Sequence, residues 1–218
     1  MQKLHNSSSS YSMKVGGSLP FLVSACKYRI NGAMVLNTLA QGEVVHAGTP
    51  FEYSLADNTA KFLKIWKVKS ITAETPDTGK STIVLEKTAI TPRIDAATVV
   101  MKLPASLSGT GKAVAAGAVT ETDGGYSIVV TTADVDSISE GDYLCEAASA
   151  GASAKMYCTP NILSTEDTVG GNNYTLVDVP YGIVHAFRNT INPIPDIVLA
   201  ALNDGILLVW EMFNETKE

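Results

Sequence analysis

Thiols, imidazoles and carboxylates brought close together are the usual ingredients of nucleophilic catalysis, and this chain has few of the first two. Its three cysteines are Cys26, Cys145 and Cys158, and its three histidines are His5, His46 and His185. No two cysteines stand at a metal-pair spacing and the histidines are isolated, so these residues do not compose a zinc site. Cys26 with His46 or His185 has the residue types of a thiol protease, and nothing local supports it. His46 lies between Val45 and Ala47, and His185 lies in an apolar run; both read as hydrogen-bonded structural histidines. Neither a Gly-x-Ser-x-Gly elbow nor a His-Glu-x-x-His pair occurs. The odd cysteine number fits small buried hydrophobes kept reduced, although a Cys145–Cys158 bridge across a hairpin is open by spacing.

Two Gly-Lys loops invite a phosphate-binding reading. Around Gly79-Lys80-Ser81 the P-loop pattern needs a glycine where Glu74 stands. Around Gly109-Thr110-Gly111-Lys112 it needs one at Ser106, and a hydroxyl residue at Ala113. Both loops fall between strands, where no helix N-terminus cradles an anion, so both are read as turns. The carboxylate pair Glu166-Asp167 lies in a polar loop without the calcium-loop pattern. Glu140 and Asp142 flank Gly141 in a turn entering a strand, and Asp134 and Asp136 cap a turn around Val135. Neither a metal nor a cofactor is expected. Tyr126, Tyr143 and Tyr157 are candidates for an aromatic cluster, the raw material of a glycan-stacking face.

The elements that position these residues are read from composition and period. Charged residues make up only 17% of the 218 residues, while hydrophobic ones make up 45%, a balance suited to buried strands and tight turns. The net charge is −6, and no lysine or arginine run forms a phosphate-neutralising stripe, so a nucleic-acid partner is not expected. Residues 1–12 lack the apolar stretch of a secretory signal. The longest apolar run, Gly205 to Trp210, is too short to span a bilayer. The expectation is a protein made in a cytoplasm, with no membrane partner.

From Leu19 onward short strands follow at close spacing. Phe21 to Ile30 is expected to stop at a turn on Asn31-Gly32, and residues 19–68 read as a β-meander. The run Phe62 to Val68 alternates, with Phe62, Lys64, Trp66 and Val68 on one face and Leu63, Ile65 and Lys67 on the other. A weak internal repeat follows. Its first half, 69–112, holds a hairpin turning at Pro76 to Gly79, the strand Ala97 to Lys102 and a small-residue tail ending at Lys112. Its second half, 118–155, holds a hairpin turning at Asp123 to Gly125, the strand Gly141 to Glu146 and a tail ending at Lys155. Two such halves can close into one small barrel with pseudo-twofold symmetry, because closure hides the strand edges. Ile194, Ile197, Val198, Ala201 and Leu202 fall at helical spacing, giving 195–203 one apolar face, and Asn203-Asp204-Gly205 reads as the stop; a closing strand follows from Ile206 to Phe213. The expected fold is therefore all-β, a barrel or sandwich with one short C-terminal α-helix and a second small barrel inserted at 69–158. Residues 1–18 form an arm, and 19–68 with 159–218 form the other domain.

The strand reaching Asn31-Gly32-Ala33-Met34-Val35, the segment Ala47-Gly48-Thr49-Pro50 and the turn Asp57-Asn58-Thr59-Ala60 resemble head decoration proteins of tailed phages. The later segments Ser108-Gly109-Thr110-Gly111-Lys112 and Glu140-Gly141-Asp142-Tyr143-Leu144-Cys145-Glu146-Ala147 are similar to auxiliary capsid or head-fibre proteins of gut Bacteroides phages, crAss-like ones included. The resemblance spans most of residues 14–213 and rests on turns and small-residue patches. It implies a non-enzymatic virion protein, made in the bacterial host and attached to the outer capsid surface. The implied partners are the major capsid protein and its own copies in a homotrimer. No family site transfers residue by residue. Intersubunit contacts are expected from Leu4, Tyr11, Met13 and Val15 in the arm, and from Trp210 and Phe213 at the other end. The alternative is a surface-adhesion module that binds a host glycan or protein through 69–158.

Overall fold

The computed structural model describes residues 11–14, 20–23, 28–73, 79–88, 90–164, 167–171, 174–181, 184–187, 194–203 and 207–210. It is an all-β fold with one short helix. Strands β1 (Tyr11–Lys14) and β2 (Pro20–Val23) pair antiparallel, so residues 11–14 of the expected arm are strand laid against their own chain. A five-stranded sheet takes β3 (Tyr28–Val35), β5 (Pro50–Ser54), β6 (Thr59–Phe62), β15 (Ile162–Leu163) and β17 (Leu176–Tyr181), in the order β15-β5-β6-β3-β17. A small ladder joins β4 (Val44–Val45) to β16 (Thr168–Val169). Near the other end, β18 (Val184–Phe187) runs parallel to β19 (Leu207–Trp210).

Two local expectations change here. The first sheet is not a meander, because β3 pairs with β6 in parallel and strands from after residue 160 complete it. The Asn31-Gly32 pair does not end a strand either. It lies inside β3, where Val177 pairs with Ala33 but Val179 pairs with Ile30. Two residues of β3 therefore face one of β17, a bulge that needs a residue with positive φ. Gly32, at φ 74°, supplies it, and its N–H donates to Asp178 Oδ1 at 3.3 Å. The dipeptide that favours a hairpin turn also favours this bulge, because both use the left-handed backbone region.

The second sheet takes β7 (Ile65–Ala73), β8 (Lys80–Glu86), β9 (Val99–Lys102), β10 (Gly111–Ala115), β11 (Val119–Thr122), β12 (Gly125–Thr131), β13 (Tyr143–Glu146) and β14 (Gly151–Ala154). Its order is β11-β12-β8-β7-β13-β9-β10-β14. Only a short bend separates β10 from β11, and it is bonded on both sides: Gly117 N–H donates to Val129 O and Ala116 N–H to Thr98 O, both at 2.8 Å. The ring β7-β8-β12-β11/β10-β9-β13 thus closes as a barrel, with β14 appended to β10.

This barrel has a pseudo-twofold axis that can be read from its register. Ile83 of β8 faces Ile128 of β12, and Met101 of β9 faces Cys145 of β13. Each pair joins equivalent positions of the two halves. Lys67↔Tyr143, Trp66↔Leu144 and Ile65↔Cys145 are matched by Ala115↔Val99, Val114↔Val100 and Ala113↔Met101. Ile71↔Ile83 is matched by Val119↔Ile128. The bulge in β7 between Val68 and Ser70 has its counterpart in the Ala116–Ala118 bend. Even the entry turns correspond. Ala97 at φ 70° and Gly141 at φ 86° occupy equivalent places, and Thr98 N–H donates to Asp95 O as Asp142 N–H does to Ser139 O, both at 3.1 Å. By this pairing the halves begin at Ile65 and Ala113 and end near Lys102 and Glu146. The Gly/Ser/Ala tails are not symmetry mates: the first leads into β10 and the second is β14, its edge partner.

Strand alternation distributes the core. Trp66, Val68, Ile83, Leu85, Val100, Ile128, Val130 and Leu144 fill the barrel interior. Residues of the opposite parity, Ile65, Met101, Ala113 and Cys145, pack outside it with Leu63, Met156, Cys158 and Leu163. Helix α1 (Asp196–Asn203) joins the same cluster through Val198, Leu199 and Leu202, with Ile194 just before it. Pro195 opens the helix and its carbonyl accepts the Leu199 N–H at 3.1 Å, as expected of proline in a first turn. A third cluster, built on Phe51, Phe62, Ala33, Val35 and Val177, belongs to the five-stranded sheet.

The alternating run from Phe62 to Val68 conceals the crossing between the two sheets. Phe62 ends β6 in one cluster, Trp66 lies inside the barrel, and Leu63 and Lys64 between them are buried without belonging to either strand.

Candidate interaction surface and buried polar joint

Among the described residues, those singled out for nucleophilic chemistry are not assembled into a site. Cys145 and Cys158 are free thiols, both buried, so the bridge left open by their spacing is not formed. Burial, helped by the nearby Glu146 carboxyl, pushes the Cys145 thiol up to about 12, far above the range in which a thiolate is available. Burial raises Cys158 as well, and its Sγ donates to Lys61 O at 3.1 Å. Cys26 lies outside the described residues, and of His185 the structure describes only its place on β18. His46 Nδ1 is 3.6 Å from Asp167 Oδ1, too far for a hydrogen bond. That oxygen accepts the Ala47 N–H at 2.8 Å instead, which ties Asp167 to the turn after β4. Among the described residues no group of three His, Cys, Asp or Glu side chains is placed to hold a metal ion.

The Gly-Lys loops lead into β8 and β10 rather than into helices. Beside the second lies an open cleft of about 530 Å³, lined by Lys102, Pro104, Gly109, Thr110 and Asp136 among others. Its charged groups are already engaged: Lys102 Nζ lies 2.8 Å from Asp142 Oδ2 and donates to Ser137 O, while Asp136 Oδ2 accepts the Lys112 N–H. The tyrosine cluster does not form. Tyr126 is buried with the barrel core, whereas Tyr143, next to Leu144 but of opposite parity, packs on the outer cluster. Tyr157 donates its hydroxyl to Leu36 O at 3.2 Å.

The exposed apolar side chains lie elsewhere. In β3 the residues alternate, with Ala33 and Val35 buried and Met34 and Leu36 turned out. Leu176 of β17 faces Met34 across the ladder. Met34 is 46% exposed, Leu36 41%, Leu176 50% and Tyr174, just before the strand, 69%. These four make a contiguous apolar stripe on the outer face of the five-stranded sheet, along its terminal strand β17. Single exposed hydrophobes need no explanation, but a cluster on one face marks an interaction surface. Alternation predicts which residues share a face; only the pairing of β17 with β3 brings Leu176 to Met34.

Of the interaction residues expected from the sequence, Tyr11 and Met13 lie on β1, facing Val23 and Phe21. Trp210 lies on β19 facing Phe187. Leu4, Val15 and Phe213 fall outside the described residues.

A buried polar group sits where the chain crosses between sheets. Lys64 Nζ donates to Glu43 Oε1 at 2.7 Å, both side chains nearly shielded from solvent. Glu43 also accepts the Ala40 N–H through Oε2 at 2.9 Å. Close by, Glu146 Oε2 is buried and finds no hydrogen-bond partner. Burial pushes its carboxyl up, Lys64 draws it back down, and Glu43 adds to the rise. Neither Glu43 nor Glu146 carries a sequence signal of this role, since they stand more than a hundred residues apart.

In comparison with known proteins, the chain matches no family model, no curated protein and no solved structure.

Proposed function

We propose that this chain is a non-enzymatic structural protein of a tailed-phage virion, decorating the outer capsid surface or anchoring head fibres. In this reading its partners are the major capsid protein and its own copies in a trimer. The five-stranded sheet faces the capsid lattice and the barrel projects outward. The observation that carries the reading is the stripe Met34, Leu36, Tyr174 and Leu176, an apolar face along a sheet edge. The all-β architecture and the resemblance of the 31–60 turns to head decoration proteins support it. Apolar side chains exposed at a sheet margin suit lattice attachment; because Met34, Leu36 and Leu176 are already about half buried, covering each contributes roughly 1 kcal/mol.

The test is co-sedimentation of the purified protein with empty capsids, read together with its mass in solution. A Met34→Lys, Leu176→Lys double variant is expected to bind capsids at least about tenfold more weakly while keeping the wild-type melting temperature, since both sites are exposed. Full binding by that variant would count against the sheet face as the attachment surface. A wild-type monomer indifferent to capsids would sink the whole reading, and binding to a glycan array would favour an adhesion role.

A further inference from the structure

The barrel's pseudo-symmetry isolates one residue that the barrel itself does not require. Lys102 and Glu146 occupy equivalent positions at the ends of β9 and β13, where Lys102 faces Leu144 and Glu146 faces Val100 across the same pair of strands. On one side the position holds a partly exposed lysine, 2.8 Å from Asp142. On the other it holds a carboxylate with one oxygen wholly buried and unpartnered. A six-position ring closes either way, so the buried acid answers to what lies against it and not to the barrel fold.

What lies against it is the joint with the five-stranded sheet. Glu146 N–H donates to Lys64 O at 3.0 Å, in the segment that leaves the sheet, and Tyr157 N–H donates to Glu146 O at 2.9 Å, in the segment that returns. Glu43 reaches Lys64 from the turn before β4. The titratable groups around Glu146 are therefore Lys64 on the outgoing segment, Glu43 on the sheet side, Tyr157 and Cys158 on the returning segment, and Cys145 on its own strand. Its partner on β9 is the apolar Val100. One ammonium thus serves two carboxylates, and Glu43 holds its short contact. When Glu146 carries a proton the joint is charge-balanced; when it loses it, an uncompensated negative charge sits in a shielded place.

We propose that Glu146 is a proton-operated latch at the joint between barrel and sheet, closed when its carboxyl is protonated and loosened when it ionises. Loosening separates the outgoing and returning segments locally while the barrel interior and the core of the five-stranded sheet remain intact, because those two clusters are formed by other residues. This device is independent of whether the sheet face binds a capsid.

The test is hydrogen–deuterium exchange on the full chain from about pH 5 to pH 9, with each amide rate referred to its free-chain rate. In the wild type, the amides of Glu146 and Tyr157 are expected to lose about tenfold or more of their protection as pH rises. In Glu146→Gln, an isosteric neutral variant, they stay protected throughout, and in both proteins Ile83 and Ile128 of the barrel wall hold theirs. The same pH response in wild type and variant, or loss spread equally over the barrel wall, would overturn the proposal. A carboxyl-carbon NMR titration of the wild type gives a second reading that does not depend on the variant folding. A Glu146 midpoint above the ordinary glutamate value supports the latch, and one at or below it refutes it.

Discussion

Burial settles the chemistry of single side chains in this protein. Cys145 sits between the apolar neighbours of the outer cluster, and its thiol is driven up to about 12 by loss of water and by the Glu146 carboxyl. A thiol in that position is a small hydrophobe, unreactive until the chain opens. Iodoacetamide added to the native protein near neutral pH is therefore expected to leave the Cys145 and Cys158 peptides unmodified, and to label both in denaturant. Peptide mass spectrometry reads each site separately, and rapid native labelling of Cys145 would contradict its burial. Ala97 is the opposite case, a residue whose cost is in the backbone. It takes φ 70° where its counterpart Gly141 takes φ 86°, and a left-handed alanine costs about 1–2 kcal/mol. Ala97→Gly is expected to be neutral or stabilising by up to about 1 kcal/mol after the extra chain entropy of glycine. Gly141→Ala has open space for its Cβ, yet is expected to cost about 1 kcal/mol for the backbone alone. Urea unfolding of the two variants checks the pair, and equal effects of the same sign would refute the equivalence of the turns.

Among the elements, β7 and the bent β10–β11 strand carry the architecture. Each begins in the layer under α1, bulges once, and continues as the first arm of a hairpin. The bulges let one strand serve two ladders. Through Ile65 to Lys67 β7 pairs with β13, and from Val68 onward with β8; β10 pairs with β9 and β11 with β12. At the bend the first half uses Lys69 and the second Gly117, whose Cβ position lies 3.1 Å from Val129 O. A Gly117→Val substitution is accordingly expected to destabilise by about 1–3 kcal/mol through crowding of that carbonyl. Calorimetry checks it, and an unchanged melting temperature would mean that the bend yields freely. Trp66 and Val114 mark where the halves diverge. They are equivalent positions, but the indole fills its side of the interior and donates to Pro92 O at 2.8 Å.

Across the whole molecule, two carboxylates bend the stability profile in opposite directions. Burial pushes Asp142 up, but hydrogen bonds from Lys102 and the Ser139 N–H, with the Lys102 charge, outweigh it and hold the carboxyl below its ordinary value. Its contribution is present above the ordinary aspartate range and is lost as pH falls through the depressed folded value. Glu146 works the other way, because its folded value is raised. Below the ordinary glutamate value both folded and unfolded chains hold the proton and nothing is lost. As pH climbs from there through the raised value, stability declines, and above it the loss is complete. Melting temperature is thus expected to fall at both ends. Lys102→Met removes the lysine's share of the Asp142 contribution and leaves the Ser139 bond, so the acid-side decline is reduced, and Glu146→Gln flattens the higher-pH decline; an unaltered profile in either variant would refute that assignment.

Composition and turn spacing alone established an all-β chain with one helix, because sparse charge and alternating apolar runs are local properties that strands need wherever they pair. The hairpin at Asp123-Gly124 and the helix after Pro195 were legible for the same reason: their signals lie within a few residues of one another. The repeat was visible as a likeness between 71–102 and 119–146, but its phase was not. Equivalence begins at Ile65, inside a run that reads as one continuous strand, and only the register against β13 separates it from Phe62. Asn31-Gly32 carried a correct conformational preference and a wrong element, since a bulge and a turn make the same demand on the backbone. The apolar stripe and the joint at Glu43, Lys64 and Glu146 depended wholly on tertiary structure. Each joins residues distant in sequence, and whether a leucine or a glutamate is exposed or shielded is decided by what packs over it, which the order of residues along the chain does not record.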